Sequence, residues 1–363
     1  MRVCLATPLY PPESGGPATF AKALEKGLAR HGWSGETVRF ASVRHLPPLI
    51  RHTVYGWHVF WVARRSDLVL ALDPVSTGFP ALIAARLARR PFYLRVAGDY
   101  AWEQGTARYG VTDSLDVFVA KRRYPIRVRA LKALQGFVAE SAYRIIVPSR
   151  YLARVVHLWD IPRRRIHVAY NAAPELPAAK TKSPIDGAYL VSIGRLVKWK
   201  GMRATIDAFA SLEDSSLTLV IVGDGPERET LEAHVKEQGL EGRVRFVGQV
   251  SRDEVLGYLA HARGFILNTR YEGLSHLILE AFSLGTPVAT TPVGGNPELV
   301  REGETGLIFS PDDVRGITES MREIMGNTKL TAKLSKAAKA HAAEFTDERM
   351  IDEVVRALAL PEA

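Results

Sequence analysis

GFILNTRYEGLSHLILEAFSLGTPVAT, Gly264–Thr290, reads as a strand, a loop and a helix leading into a second strand. Gly264–Asn268 is a short apolar run, Ser275 stands where a helix N-cap belongs, the helix runs to about Leu284, and Pro287–Thr290 begins a new strand. Parallel strands need a crossover of this kind, so the stretch predicts one repeat of an α/β layered sheet. Its loop carries Glu272, and Gly273 permits an unusual backbone turn there. Amides at Leu274, Ser275 and the next residue would project from the positive end of the helix, where a diphosphate binds well. Glu280 falls inside the helix among Leu277, Ile278, Ala281 and Phe282, where an unpaired carboxylate is costly. Two vicinal ribose hydroxyls would satisfy it, and so would a structural salt bridge.

The same alternation extends in both directions. Strand-like runs at Val3–Thr7, Thr37–Ala41, Leu68–Leu72, Phe92–Val96, Arg144–Val147 and Ile166–Ala169 are separated by helix-like stretches, among them Pro17–Arg30, Pro80–Ala88 and a long one near Leu115–Ala142. A second series follows at Tyr189–Ile193, Leu217–Val222, Val244–Val247, Gly264–Asn268, Pro287–Thr290 and Thr305–Phe309, with helices at Lys329–Glu344 and Asp347–Leu358. Between the series, residues 172–187 hold three prolines and no periodicity. The expectation is two Rossmann-like, doubly wound α/β domains facing a cleft, 1–172 and 188–346, joined by a linker at 173–187. The segment from about 347 to 363 is expected to pack back on the first domain.

With 363 residues the chain is long enough for two cores, and 47% hydrophobic with 24% charged residues belongs to a folded protein. Its apolar runs fall short of the roughly 18–20 residues of a membrane span; Val54–Ala63 comes nearest and contains His58. The opening MRVCLATPLYPP reads as a strand and not a signal peptide. Cys4 is the only cysteine, which excludes an intrachain disulfide and points to a cytoplasmic protein. Charge is uneven: residues 1–178 carry 26 Lys and Arg against 12 Asp and Glu, residues 179–363 carry 22 against 27. Either this only maintains solubility, or the first half faces something anionic, such as a lipid surface, a phosphate-bearing acceptor or nucleic acid.

Three further motifs follow strands. Pro8–Pro17 contains Gly15 and Gly16 ahead of a helix, either a plain tight turn or a place where backbone approaches a phosphate. GRLVKWKG, Gly194–Gly201, puts Arg195 and Lys200 on a loop at a strand's carboxyl end; two such cations suit a diphosphate, although loop cations are usually solvated. In GDGPE, Gly223–Glu227, Asp224 is either a helix N-cap or a ligand contact, with Gly223 and Gly225 beside it and Pro226 in the first helical turn.

In order and spacing, PLYPPESGGP, IIVPSRYL, Tyr170-Asn171, SIGRLVKWKG, VGDGPE, RFVGQVS, the Glu272–Glu280 pair and TPVGGNPELV resemble the retaining GT-B glycosyltransferases, the family 4 group of glycosyl transferases group 1. The resemblance implies a nucleotide-sugar donor, a UDP-sugar or GDP-mannose, and no obligatory cofactor or metal. It implies that Glu280 holds the ribose hydroxyls, that Glu272 contacts the transferred sugar, and that amides at Gly273 and Leu274 help hold the diphosphate. Arg195 and Lys200 match the pair that neutralises the leaving diphosphate. The loop with Gly15 and Gly16 matches one that closes over donor phosphates and acceptor, and Val247 or Gln249 would lie near the base.

One stretch departs from the family. Many relatives carry a histidine after the strand corresponding to Phe92–Val96, where this chain reads LRVAGDYAWE. Asp99 or Arg95 is the candidate to take over a sugar or acceptor contact, with Trp102 and Glu103 nearby. The family's first domain receives the acceptor, and the basic stretches Lys121–Lys132 and Arg163–Arg165 would suit a glycan or lipid-linked acceptor at the inner membrane face. No nucleic-acid module is present. Cell-surface polysaccharide or glycolipid synthesis is the expected setting. A related GT-B enzyme such as a nucleotide-sugar epimerase, or a non-catalytic relative, is the alternative.

Overall fold

The computed structural model describes residues 1–11, 13, 15–174 and 183–359. Two compact units divide it, Met1–Asn171 with the C-terminal helix, and Ala172–Thr346. Most of the expected linker, 175–182, lies outside the described residues.

In unit 1 the order is β1 (Arg2–Thr7), α1 (Gly16–Leu28), β2 (Ser34–Arg39), α2 (Pro48–Ala63), β3 (Leu68–Ala71), α3 (Gly78–Ala88), β4 (Phe92–Arg95), α4 (Tyr100–Arg108), α5 (Leu115–Ala120), α6 (Ile126–Glu140), β5 (Ile145–Val147), α7 (Arg150–His157) and β6 (Ile166–Val168). Unit 2 continues with β7 (Tyr189–Ile193), α8 (Met202–Ala210), β8 (Thr218–Val222), α9 (Arg228–Glu237), β9 (Val244–Gly248), α10 (Arg252–His261), β10 (Gly264–Leu267), α11 (His276–Leu284), β11 (Val288–Thr290), β12 (Leu307–Ile308), α12 (Val314–Gly326) and α13 (Thr328–Ala342). Helix α14 (Asp347–Leu358) returns to unit 1.

Each unit is built on a six-stranded sheet, ordered β2-β1-β3-β4-β5-β6 and β12-β11-β10-β7-β8-β9, with every pairing parallel. Inner strands such as LVLA of β3 and TLVIV of β8 are buried along their whole length, because helices cover both faces of a parallel sheet. This is a pair of Rossmann-like domains, as expected. In both sheets the order reverses at an inner boundary, between β1 and β3 in the first and between β7 and β10 at the centre of the second. Successive crossovers leave such a point in opposite directions, and ligands gather there at the strands' carboxyl ends.

The strands fall where the sequence places them, within a few residues. Among the helices, the long one expected near Leu115–Ala142 is two, α5 and α6, separated by Lys121–Pro125. Pro125 has no amide hydrogen to donate and forces the preceding residue away from helical angles, so the helix restarts after it. Helix α2 covers the apolar run that came nearest to a membrane span, and among the described residues no helix is long and apolar enough to cross a bilayer.

Helix α14 seats against α1. A Cβ on Gly27 would collide with the buried side chain of Ile351, and two histidine–carboxylate contacts flank it, His167 Nε2 with Glu353 at 2.9 Å and His31 Nε2 with Asp352 at 3.1 Å. Arg144 also donates to the carbonyls of Arg356 and Ala357 at the end of α14. Gly27→Ala is therefore expected to lower the urea midpoint, because an overpacked contact costs about 1–3 kcal/mol, more than the roughly 1 kcal/mol that Ala gains over Gly in a helix. Adding Ile351→Ala should then cost less than Ile351→Ala alone, an interaction visible in a double-mutant cycle.

Candidate functional site

The loops leaving β7 and β10 flank the switch point of the second sheet. The β7 loop carries Gly194, the exposed Arg195, and a short 3-10 turn ending in Lys200. Its companion carries Asn268, Glu272 and the entry to α11. They are stitched together. Arg270 N donates to Trp199 O at 2.7 Å, and buried Asn268 donates through Nδ2 to Gly201 O at 2.8 Å and to Asp312 Oδ1 at 3.0 Å. Asn268 also accepts from Asp312 N at 3.1 Å. Across this seam Lys200 Nζ donates to Glu272 Oε2 at 2.6 Å, with both side chains mostly shielded. Two residues 72 positions apart in the chain are thus one charge pair.

Helix α11 begins as expected: Ser275 is the N-cap, and its Oγ accepts from Ile278 N at 3.3 Å. Gly273 and Leu274 immediately precede that cap, at the positive end of the helix. Glu280 is 4% exposed, with Arg252 Nη2 2.8 Å from its Oε1. Burial pushes its carboxyl up to about 6, and the Arg252 guanidinium opposes part of that rise. Arg252 is the first residue of α10, whose start is fixed by a capping box between Ser251 and Glu254. The arginine was not singled out from the sequence; its place in RFVGQVSR, next to the expected base-binding stretch, is the only signal it left. Of that stretch, Val247 is half-buried and Gln249 exposed.

Two glycine pairs let backbone meet backbone around the site. Gly223 and Gly225 lie against the β7 loop, where Cβ atoms would run into the carbonyls of Gly194 and Leu196. Leu196 N donates to Asp224 O at 2.9 Å in the same seam. Asp224 is not a helix cap: α9 starts at Arg228, past Pro226, and the Asp224 carboxylate accepts from Gly225 N at 2.7 Å. Gly294 and Gly295, in TPVGGN after β11, press on the Glu272 loop. A Cβ on Gly294 would strike Glu272 O, its φ is 62°, and Gly295 N donates to Glu272 O at 3.0 Å. The GDG loop therefore braces the cation-bearing loop, and the VGG loop braces the acidic one.

In unit 1, Gly15 precedes α1 as its N-cap residue and Gly16 opens the helix, with Pro17 in its first turn. Asp99 is 1% exposed and caps α4, accepting from Trp102 N at 2.9 Å. Burial raises its carboxyl above the usual range, with bonds from Trp102, Gln135 and Trp159 and the Lys132 charge opposing. The carboxylate offered as a stand-in for the family histidine is thus built into the helix start. Arg95, also buried, lies over the Phe20 ring at 3.7 Å and donates to Asn171 Oδ1 at 2.8 Å. Because Gly294 fixes the backbone under Glu272, Gly294→Ala is expected to cost about 1–3 kcal/mol from a left-handed φ and an overpacked contact. Faster amide exchange at 271–274 should accompany the lower unfolding midpoint.

Residues 176–341 match the family model described as glycosyl transferases group 1. Among curated relatives, the lipopolysaccharide core biosynthesis glycosyltransferase LpsE of Rhizobium meliloti (strain 1021) is 32% identical over 182 residues, 50% of this chain and 52% of the relative. The D-inositol 3-phosphate glycosyltransferase of Jonesia denitrificans is 24% identical over 95% of this chain and 92% of its own. The chain spans about half or less of the first curated relatives it matches. Among solved structures, Anabaena HepE in complex with UDP-glucose superposes with a TM-score of 0.78 at 20% identity over 99% of both chains. The sucrose-phosphate synthase of Thermosynechococcus elongatus gives 0.78 at 19% identity, over 98% of this chain and 97% of its own. Residues 176–341 therefore resemble glycosyl transferases group 1, and the chain has the GT-B fold of these solved structures.

Proposed function

We propose that this chain is a retaining glycosyltransferase of the family 4 kind. It would move a sugar from a UDP-sugar or GDP-mannose to a hydroxyl of a glycan or lipid-linked acceptor in cell-surface polysaccharide or glycolipid synthesis. The observation that carries the proposal is the Lys200–Glu272 pair at the switch point of the second sheet, with Glu280 buried in the helix that follows.

Breaking the anomeric C–O bond places negative charge on the leaving diphosphate. Arg195 and Lys200 stabilise that charge as it grows, and the positive end of α11 adds to them at Gly273–Ser275. Two fixed cations take the part a metal ion plays elsewhere, so the proposed reaction needs none. Glu272 accepts from hydroxyls of the transferred sugar, and Glu280 from the two ribose hydroxyls. The acceptor's proton passes to the leaving phosphate oxygen on the same face, which requires no dedicated protein base. Unit 1 receives the acceptor, with Gly15 and Gly16 at its first loop. The setting proposed is the cytoplasm, with peripheral attachment at the inner membrane face.

Lys200→Ala and Glu280→Ala are each expected to lower transfer by 10²-fold or more with the fold retained, read as product formed per enzyme and checked by circular dichroism. Release of an isomerised donor without transfer would instead indicate an epimerase. Asp99→Asn keeps an oxygen to cap α4; near-normal transfer by it is expected, and a large loss would give the carboxylate a role beyond capping.

The raised carboxyl of Glu280 adds a pH signature. Its folded value, about 6, lies above its ordinary 4.5, so the buried group favours folding most when protonated. That contribution, up to about 2 kcal/mol, is present below pH ~4.5 and lost as pH rises through ~6. Donor binding runs the other way, since the ionised carboxylate accepts more strongly from the ribose hydroxyls than the acid does. Calorimetry should show donor affinity falling between pH 7.5 and pH 5 in the wild type, and a weak, flat profile in Glu280→Gln.

A further inference from the structure

Among the described residues, twelve large apolar side chains are exposed, and all belong to unit 1. Half of them are on two adjacent helices: Leu49, Ile50, Trp57 and Trp61 on α2, Ile83 and Leu87 on α3. Such a concentration exceeds the scattered exposure that any surface shows. Topology makes it one face. The crossovers β2→α2→β3 and β3→α3→β4 run the same way along the sheet, so right-handed connection places both helices on the same side. They pack closely, since a Cβ on Gly56 of α2 would touch Pro80 of α3 at 3.4 Å. Tyr55, Val59 and Val62 turn inward, which leaves Ile50, Trp57 and Trp61 as a stripe on the outside of α2.

The stripe is aromatic and edged by arginine. Trp57 stacks on Phe60 at 5.7 Å and meets Trp61 edge-on at 5.4 Å, with the Arg64 guanidinium 5.4 Å from the Trp61 ring. On the neighbouring side Arg86 of α3 lies 5.5 Å from the ring of Phe137, exposed on α6. Residues 38–98 contain nine arginines and no lysine; Arg95 is buried and Arg44 and Arg65 pair with Glu13 and Glu36, which leaves six against two acids, Asp67 and Asp73. Both acids are engaged elsewhere: Asp67 accepts from Arg2 N at 2.7 Å, and Asp73 accepts from Val75 N and Thr77 N near the end of β3.

We propose that the α2–α3 face is a membrane-docking surface for an anionic lipid bilayer. Tryptophan rings settle at the headgroup level, and arginines along the edge meet lipid phosphate. A second copy of the chain is the poorer occupant, because an isologous contact would set one arginine-rich face against another. The face differs from the basic stretches prominent in the sequence, whose charges are partly spent inside unit 1. Lys121 pairs with Asp113 at 3.0 Å, Lys132 donates to the carbonyls of Phe118 and Lys121, and Arg165 donates to those of Glu140 and Ala142. The proposal deepens the peripheral attachment suggested above, and its test contains no nucleotide sugar, so its failure and that of the transferase reading are separable.

The test is co-sedimentation of the full chain with phosphatidylcholine vesicles carrying about a third phosphatidylglycerol, and with pure phosphatidylcholine, at 0.1 M and 1 M salt. Binding to the anionic vesicles is expected, weakened at high salt as screening shortens from about 10 Å to about 3 Å. Trp57→Ser with Trp61→Ser should reduce it at least tenfold, and Arg64→Gln with Arg86→Gln should reduce it and flatten its salt dependence. Arg163→Gln with Arg164→Gln should leave binding within twofold, and circular dichroism should show all variants folded. No binding to anionic vesicles would overturn the proposal. So would wild-type binding by the tryptophan pair variant, loss confined to the Arg163 and Arg164 pair, or a dimer in sedimentation velocity that the tryptophan changes dissolve.

Discussion

The right-handed crossover is the constraint on which the second unit depends. Strand β7 sits at the centre of its sheet, α8 carries the chain one way to β8, and α10 brings it back across to β10. Since each crossover has the same hand, the helices on either side of the β7–β10 boundary lie on opposite faces, and the loops there part. A basic loop and an acidic loop are thereby brought side by side at the carboxyl ends of the two central strands. The Lys200–Glu272 bond and the Asn268 and Arg270 hydrogen bonds are the local chemistry that closes the seam.

Around that seam the structure spends side-chain volume sparingly. At Gly223, Gly225, Gly294 and Gly295 the backbone of a bracing loop touches the backbone of the loop after β7 or β10, with no room for a Cβ. These contacts hold the Arg195–Lys200 and Glu272–Ser275 segments from behind, so the positions of their side chains do not depend on the loops' own rigidity. Glu280 has a different support. It rides on a helix, and its burial is offset by Arg252 from the start of the next helix in the layer. Under the proposed function, ribose hydroxyls would take over from this half-exposed arginine as the partner of the buried carboxylate.

Much of this was legible in the sequence because short apolar runs and crossover helices have different periods, and parallel inner strands are apolar on both faces. Ser275 was readable as a cap, and the Glu272–Glu280 spacing as one loop and one helix. Less accessible were features that arise from packing between distant segments. Arg252 precedes Glu280 by 28 positions, and only the adjacency of α10 and α11 makes them partners. Asn268 looked like the end of a strand and is the knot between two loops. Pro125 should have divided the helix near Leu115–Ala142, but the apolar positions on either side continued the helical pattern. The exposure of Trp57 and Trp61 was hidden because α2 is apolar nearly all round, so composition alone does not say which face the core takes.

The central claim is that a nucleotide sugar is held by the two loops flanking β7 and β10. Hydrogen–deuterium exchange of the full chain, alone and with saturating UDP-glucose or GDP-mannose, tests it most directly. The account predicts protection in unit 2 centred on 194–201 and 271–280 with at least one of these donors. Protection centred elsewhere in unit 2, or none with either donor, would contradict it.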